Sequence, residues 1–232
     1  MKENIHKDHR KRVREEFLKN GYDHNTPPHK VLEHLLFYCI KQKDTNDLAH
    51  ELINKYKNLS GVLDAPIDEL IEFSGLTENN VSILKMIMPI ARIYSFEKSD
   101  KSKVFSGSEE IGKFLLEQFQ GFKNEHLYLL LLNASGKMLR FKCIADGDPA
   151  SVGVSTRDIV HEALDSGCTN VIMAHNHPSG TALPSPADIQ ITSLVANALR
   201  VVEIHLLDHM VIADGDYVSM AQSEKYRKIF KP

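Results

Sequence analysis

The sequence predicts an α+β (α/β-like) chain in two parts, an all-α first half followed by a second half in which helices flank one sheet. Three observations predict it. Hydrophobic residues recur at spacings of three and four from the N-terminus to about Tyr94. A run of small and charged residues follows. Beyond it the pattern changes to short apolar runs separated by turn residues and interleaved with amphipathic segments.

In the first half the helical spacing is carried by Val13 and Phe17, by Val31, Leu32, Leu35, Leu36, Cys39 and Ile40, and by Leu48, Leu52 and Ile53. Thr26-Pro27-Pro28 marks the start of the second helix, because proline fits a first turn and not an interior. Ile67 to Phe73 and Val81 to Ile93 read as two short helices joined at Ser74-Gly75-Leu76-Thr77. Glu97 to Ser106 has the composition of an exposed linker. The expected organisation is a helical domain over 1–96, a linker over 97–106 and a second domain over 107–232.

The second domain opens with a helix from Glu109 to Phe119. Leu127 to Leu132, the turn Asn133-Ala-Ser-Gly136 and a second extended run through Ile144 read as a β-hairpin. A short strand near Val152 to Val154, a helix from Ser155 to Ser166 stopped by Gly167, and a buried strand from Asn170 to Ala174 come next. A helix opening at Ser185 and strands Val201 to Leu207 and Met210 to Ala213 complete the pattern, with Asp214-Gly215 as a hairpin turn.

Composition narrows the class. With 42% hydrophobic and 25% charged residues over 232 positions, the chain is globular. Cys39, Cys143 and Cys168 are far apart and form no Cys-x-x-Cys pair, which argues against a disulfide framework or a cysteine-rich zinc module. A polar, basic N-terminus and the lack of any run of about 18 apolar residues point to a cytoplasmic protein with no membrane partner. A net charge of -3 supplies no general attraction to nucleic acid, although local patches can. The sequence says nothing of the oligomeric state.

The chemistry concentrates in His175-Asn-His-Pro-Ser-Gly-Thr-Ala-Leu-Pro-Ser-Pro-Ala-Asp188. His175 and His177 end an apolar strand, and an alternation of two puts both imidazoles on one side. Pro178 to Pro184 reads as a loop. Ser185 then reads as an N-cap, Pro186 as the first helical residue and Asp188 as part of the first turn, so the helix folds back and Asp188 meets the histidines. Either fragment alone has an ordinary explanation, as a polar strand end or a helix cap. Together they predict one zinc ion held by His175, His177 and Asp188. The fourth position is then open to a water, whose pKa zinc lowers to about 7.

These residues resemble the JAMM (JAB/MPN) metalloprotease motif, and His-Asn-His-Pro-Ser-Gly-x3-Pro-Ser-x2-Asp is similar to the RadC family in particular. The resemblance extends to Ser155-Thr-Arg157-Asp-Ile-Val-His-Glu-Ala-Leu164 and Leu207-Asp-His-Met-Val-Ile212, and more loosely to the helical first half. It implies a mixed-sheet zinc domain with flanking helices, of cytidine-deaminase-like architecture, that hydrolyses an amide bond in a peptide or protein. It also implies an upstream glutamate acting as general base. Glu125, which follows one helix and opens the next strand, is the candidate, with Asp146 and Asp148 as rivals; without the family it is only an acidic residue at a strand end. The resemblance further implies that Ser185 hydrogen-bonds the tetrahedral oxyanion, worth roughly 3 kcal/mol. As a bare residue Ser185 is equally an N-cap. Asp208-His209 reads as a structural turn between two strands rather than as part of the centre, and Arg157 faces either a carboxylate or a substrate.

Leu70 to Val81 resembles a helix-hairpin-helix, whose glycine-rich turn presents N–H groups to phosphate. Thr77 stands where that turn has its second glycine, which weakens the reading. Residues 1–100 hold 15 Lys and Arg against 16 Asp and Glu, and only His9 to Arg14 is locally basic. Two functions therefore compete: a zinc-dependent hydrolase, and a DNA repair or recombination accessory protein that meets DNA through its helical half and whose zinc domain is not catalytic. A zinc deaminase is disfavoured, since the His-x-Glu and Pro-Cys-x-x-Cys elements are missing.

Overall fold

The computed structural model describes residues 8–41, 44–98, 103–147, 155–178, 180–213 and 215–231. The strand expected near Val152 to Val154, Asp148, the Asp214 half of the expected hairpin turn and residues 99–102 of the expected linker lie outside the described residues. The chain divides into two compact units, Met1–Ala91 and Arg92–Pro232. Among the described residues no helix is long and apolar enough to cross a membrane.

The first unit is helical: α1 (His9–Asn20), α2 (Pro28–Cys39), α3 (Asn46–Tyr56), α4 (Leu59–Asp64), α5 (Ile67–Ser74) and the greater part of α6 (Glu78–Lys98). Pro28 occupies the first turn of α2, and Leu32, Leu36 and Cys39 fall on one face of that helix. They pack with Ala49 and Leu52 of α3 and with Val62, Leu70, Val81 and Leu84. Gly75 closes α5 in the left-handed conformation at φ 65°, where a side chain would be strained. The basic run His9 to Arg14 lies at the start of α1. Its Arg10 stacks over the Phe37 ring at 4.9 Å and donates to the Phe37 and Lys41 carbonyls at 3.3 and 3.1 Å, so part of that run is spent on packing.

The second unit holds α7 (Ser108–Phe119), β1 (His126–Leu132), β2 (Met138–Asp146), α8 (Thr156–Ser166), β3 (Asn170–Asn176), α9 (Pro186–Val201), β4 (His205–Ala213), β5 (Asp216–Ser219) and a final 3-10 turn (Arg227–Phe230). Its strands form one mixed sheet in the order β2-β1-β3-β4-β5. β1 is antiparallel to both β2 and β3, β3 is parallel to β4, and β4 is antiparallel to β5. α9 is the crossover that a parallel β3–β4 pair requires.

Alternation sorts the side chains into two cores. Leu127, Leu129, Leu131, Val171 and Met173 face Ile159 and Ala163 of α8 and Val195 and Leu199 of α9. Leu130, Leu132, Ile172, Ala174, Met210 and Ile212 face Phe114, Leu115 and Phe119 of α7. A strand covered on both faces needs apolar residues at every position, which explains the unbroken run Leu129 to Leu132.

The sequence expectation fails at β4. It placed a strand over Val201 to Leu207, a turn at Asp208-His209 and another strand from Met210. Val201 instead ends α9, and β4 runs without a break from His205 to Ala213. A register shift takes up one residue: Val171 pairs with Leu206, but Ile172 pairs with Asp208. Two polar residues survive inside this buried strand because the fold gives them partners. Asp208 accepts from the Ser219 hydroxyl at 2.5 Å, the Ala221 N–H at 2.9 Å and the His209 N–H at 2.8 Å.

α7 approaches β5 closely through Gly112, where an added Cβ would lie 2.2 Å from Cζ of Tyr217. Gly112→Ala should therefore destabilise the second unit by about 1–3 kcal/mol through overpacking, measured by denaturant unfolding. Stability equal to that of the unaltered chain would show that Tyr217 does not fix the seat of α7.

Candidate metal centre

The centre lies at the C-terminal end of β3, the middle strand of the sheet. His175 is buried, and strand alternation puts it on the α8/α9 side with Met173. β3 ends one residue later at Asn176, and the His177 N–H donates to the Ile212 carbonyl at 2.8 Å, which keeps the chain beside β4. The loop after it returns to Ser185, the N-cap of α9. There a capping box forms: the Ser185 hydroxyl accepts from the Asp188 N–H at 3.2 Å, and the Asp188 carboxylate accepts from the Ser185 N–H at 2.7 Å. The box points the carboxylate at the histidines.

Three donor atoms converge. Nε2 of His175 and Nε2 of His177 are 2.9 Å apart, and the Asp188 carboxylate oxygens lie 3.3 Å from the first and 3.6 Å from the second. Donors at about 2.05 Å from a tetrahedral zinc stand about 3.3 Å from one another, and these three separations scatter around that figure. Among the described residues, these three form the group of His, Cys, Asp and Glu side chains that could hold a metal ion.

The hydrogen bonds behind the ligands decide which ring nitrogens face inward. Complete burial, followed by the charge of His175, pushes His209 well below the ordinary histidine range, so it is neutral and carries one ring proton. Thr192, on α9, donates its single hydroxyl proton to the Asp188 carbonyl, and therefore accepts from Nδ1 of His209 at 2.6 Å. Nε2 of His209 is then bare and accepts from Nδ1 of His175 at 2.8 Å. His177 donates from Nδ1 to the Thr181 carbonyl at 3.0 Å. Both imidazoles thus engage an outer partner through Nδ1 and turn Nε2 toward Asp188, the orientation in which histidine ligates a metal. Burial acts to raise the Asp188 carboxyl. Its contact with His175 and its hydrogen bonds with Ser185 outweigh that and hold it well below the usual carboxylate range, so it is ionised. Two ring nitrogens and an ionised carboxylate facing one point favour a cation among them.

The other residues singled out in the sequence fall as follows. Glu125 is partly buried and immediately precedes β1, outside the group of converging donors. The β1–β3 ladder reaches Leu127 and His175, so Glu125 lies two residues beyond the end of the ladder on the β1 side. Asp146 ends β2 and lies 3.1 Å from Nε2 of His126, which engages it there. Arg157 is exposed in the first turn of α8. His209 supports His175 directly, and this overturns its reading as part of a turn. Sequence reasoning passed over Thr192 and Thr181. Thr192 carried a usable signal, because it lies four residues after Asp188 and hence on the same helix face. Thr181 carried none, since it acts only through its backbone carbonyl.

The comparisons with known proteins agree with this geometry. The family model described as the RadC-like JAB domain matches residues 105–226, which include the whole sheet and the three converging side chains. A UPF0758 protein of Fusobacterium nucleatum subsp. nucleatum is 31% identical over 229 residues, covering 96% of this chain and 98% of that one. One from Pseudoalteromonas atlantica is 32% identical over 211 residues, covering 91% and 94%. Another from Enterococcus faecalis is 31% identical over 194 residues, covering 83% of each. With over half of its length matched by the family model and its relatives aligned nearly end to end, the chain belongs to the RadC family of JAB-domain proteins.

Proposed function

We propose that the second unit is a zinc-dependent hydrolase of amide or isopeptide bonds in a peptide or protein substrate. The observation that carries this reading is the convergence of Nε2 of His175 and Nε2 of His177 on an ionised Asp188 carboxylate. Two nitrogens and one carboxylate suit zinc among the common metals, and three protein ligands leave one position open, as a catalytic rather than a structural site requires. When bound there, the ion supplies a water acidic enough to ionise near neutrality and a Lewis acid for a carbonyl oxygen.

The protein's own residues supply the rest. His175 and His177 hold their ligating nitrogens in place through His209, Thr192 and the Thr181 carbonyl, so they need no reorientation. Asp188 is fixed by the cap of α9. Glu125 is the general base in this reading: it accepts a proton on its carboxylate and returns it to the leaving amine. The Ser185 hydroxyl accepts from the Asp188 N–H and keeps its own proton to donate, so capping the helix and stabilising an oxyanion are compatible roles.

Protein purified without chelator should carry about one zinc per chain by elemental analysis, and His175→Ala or Asp188→Ala should remove it. Acidification should release the metal, because protons compete for the imidazoles. Metal-free protein with no affinity for zinc would sink the proposal. Thr192→Val deletes the hydroxyl between His209 and the Asp188 carbonyl. It should weaken zinc about 10–100-fold in a competition titration while Asp188 keeps its cap. Glu125→Gln should leave zinc in place and slow hydrolysis of isopeptide-linked or peptide substrates about 10²–10⁴-fold. Equal rates for that variant and the unaltered chain would remove Glu125 from the mechanism.

A further inference from the structure

Asn176 stands between the two histidines, and its side chain serves neither of them. Strand alternation turns it away from the side on which His175 lies, and it is only 5% exposed. Its amide makes two hydrogen bonds, both to the main chain leading into β1. The His126 N–H donates to Oδ1 at 2.8 Å, and Nδ2 donates to the Asn124 carbonyl at 3.0 Å. These partners are the residues immediately before and after Glu125. The Glu125 carbonyl itself accepts from the Gly147 N–H at 2.7 Å, so the segment is held from the β2 side as well.

The position explains why a side chain is used. The β1–β3 ladder ends at Leu127 and His175. Beyond it the main chain of β3 is committed to β4: Asn176 pairs with Ile212, and the His177 N–H donates to the Ile212 carbonyl. The N–H of His126 and the carbonyl of Asn124 then need an acceptor and a donor from elsewhere. A primary amide offers one of each on a short stem, whereas an aspartate offers only acceptors and an alanine offers neither.

We infer that Asn176 is a positioning residue, whose amide straps the backbone on both sides of Glu125 to the strand that carries the metal ligands. The inference rests on the reading of Glu125 as general base. The strap and the ligands are separable, since His175, His177 and Asp188 are held by β4, His209, Thr181 and the α9 cap, and none of these bonds passes through the Asn176 side chain. Loss of the amide is therefore expected to leave the metal bound and to free the base.

Cobalt(II) in place of zinc gives a visible spectrum that follows ionisation at the metal, independently of any substrate. In the full chain, cobalt stoichiometry should be the same for Glu125→Gln, Asn176→Ala, Asn176→Leu and the double variant Glu125→Gln/Asn176→Ala. A neighbouring carboxylate opposes a second negative charge, so Glu125→Gln should lower the midpoint of the pH-dependent spectral change by more than about 0.5 unit. Asn176→Ala and the similarly sized Asn176→Leu should lower it in the same sense. The double variant should go no further than Glu125→Gln alone, because the two changes act through one group. Exchange of the His126 amide proton should be at least tenfold faster in Asn176→Ala and unaltered in Glu125→Gln. A midpoint unmoved by both Asn176 variants but moved by Glu125→Gln, or additive shifts in the double variant, would overturn the inference. So would loss of cobalt from both Asn176 variants. A midpoint unmoved by Glu125→Gln would overturn the general-base reading, and the inference with it.

Discussion

The centre depends on the position of β3 in the middle of the sheet. Two neighbours of that strand deliver parts to its C-terminal end: β4 brings His209, and the helix that follows brings Asp188, while β1 runs alongside on the other edge. The pairing of Leu127 with His175 and of His175 with Val211 fixes β1 and β4 against the strand, and the cap of α9 fixes Asp188. A slip of one residue in β3 would carry both histidines to the α7 face and leave Asp188 with its cap partner Ser185 but without the imidazoles. The leucine-rich β1 and the apolar stretch of β3 make that slip costly, and in this sense the cores of the second unit specify its chemistry.

The site is built against local stability. Two histidine nitrogens and a carboxylate held together at a strand end are a costlier arrangement for the isolated chain than an apolar plug of equal volume. The surroundings tolerate them because every outward-facing nitrogen has a partner and the chain of donors runs in one direction, from His175 through His209 and Thr192 to the Asp188 carbonyl. Concentrated unfavourable contacts on an otherwise consistent scaffold are what function, rather than folding, leaves behind.

Much of this was legible in the residues themselves. The helical first half followed from spacings of three and four that reappear as the buried face of α2. His175, His177 and Asp188 could be placed together because strand alternation and a helix cap are strong local rules, and the structure brings them together at metal-binding distances. The polar pair in β4 misled for a physical reason. Asp208 and His209 interrupt an apolar run, and local rules read an interruption as a turn, whereas the partners that make them acceptable come from Ser219, Ala221, His175 and Thr192. Asn176 escaped notice for a related reason: its amide completes a ladder whose need for completion exists only once three strands are assembled.

Asp188 is held by the helix end whether or not a metal is present, so the freedom of its side chain is lost on folding rather than on ion binding. The same holds for the two imidazoles. The three side chains are consequently ordered by the fold itself.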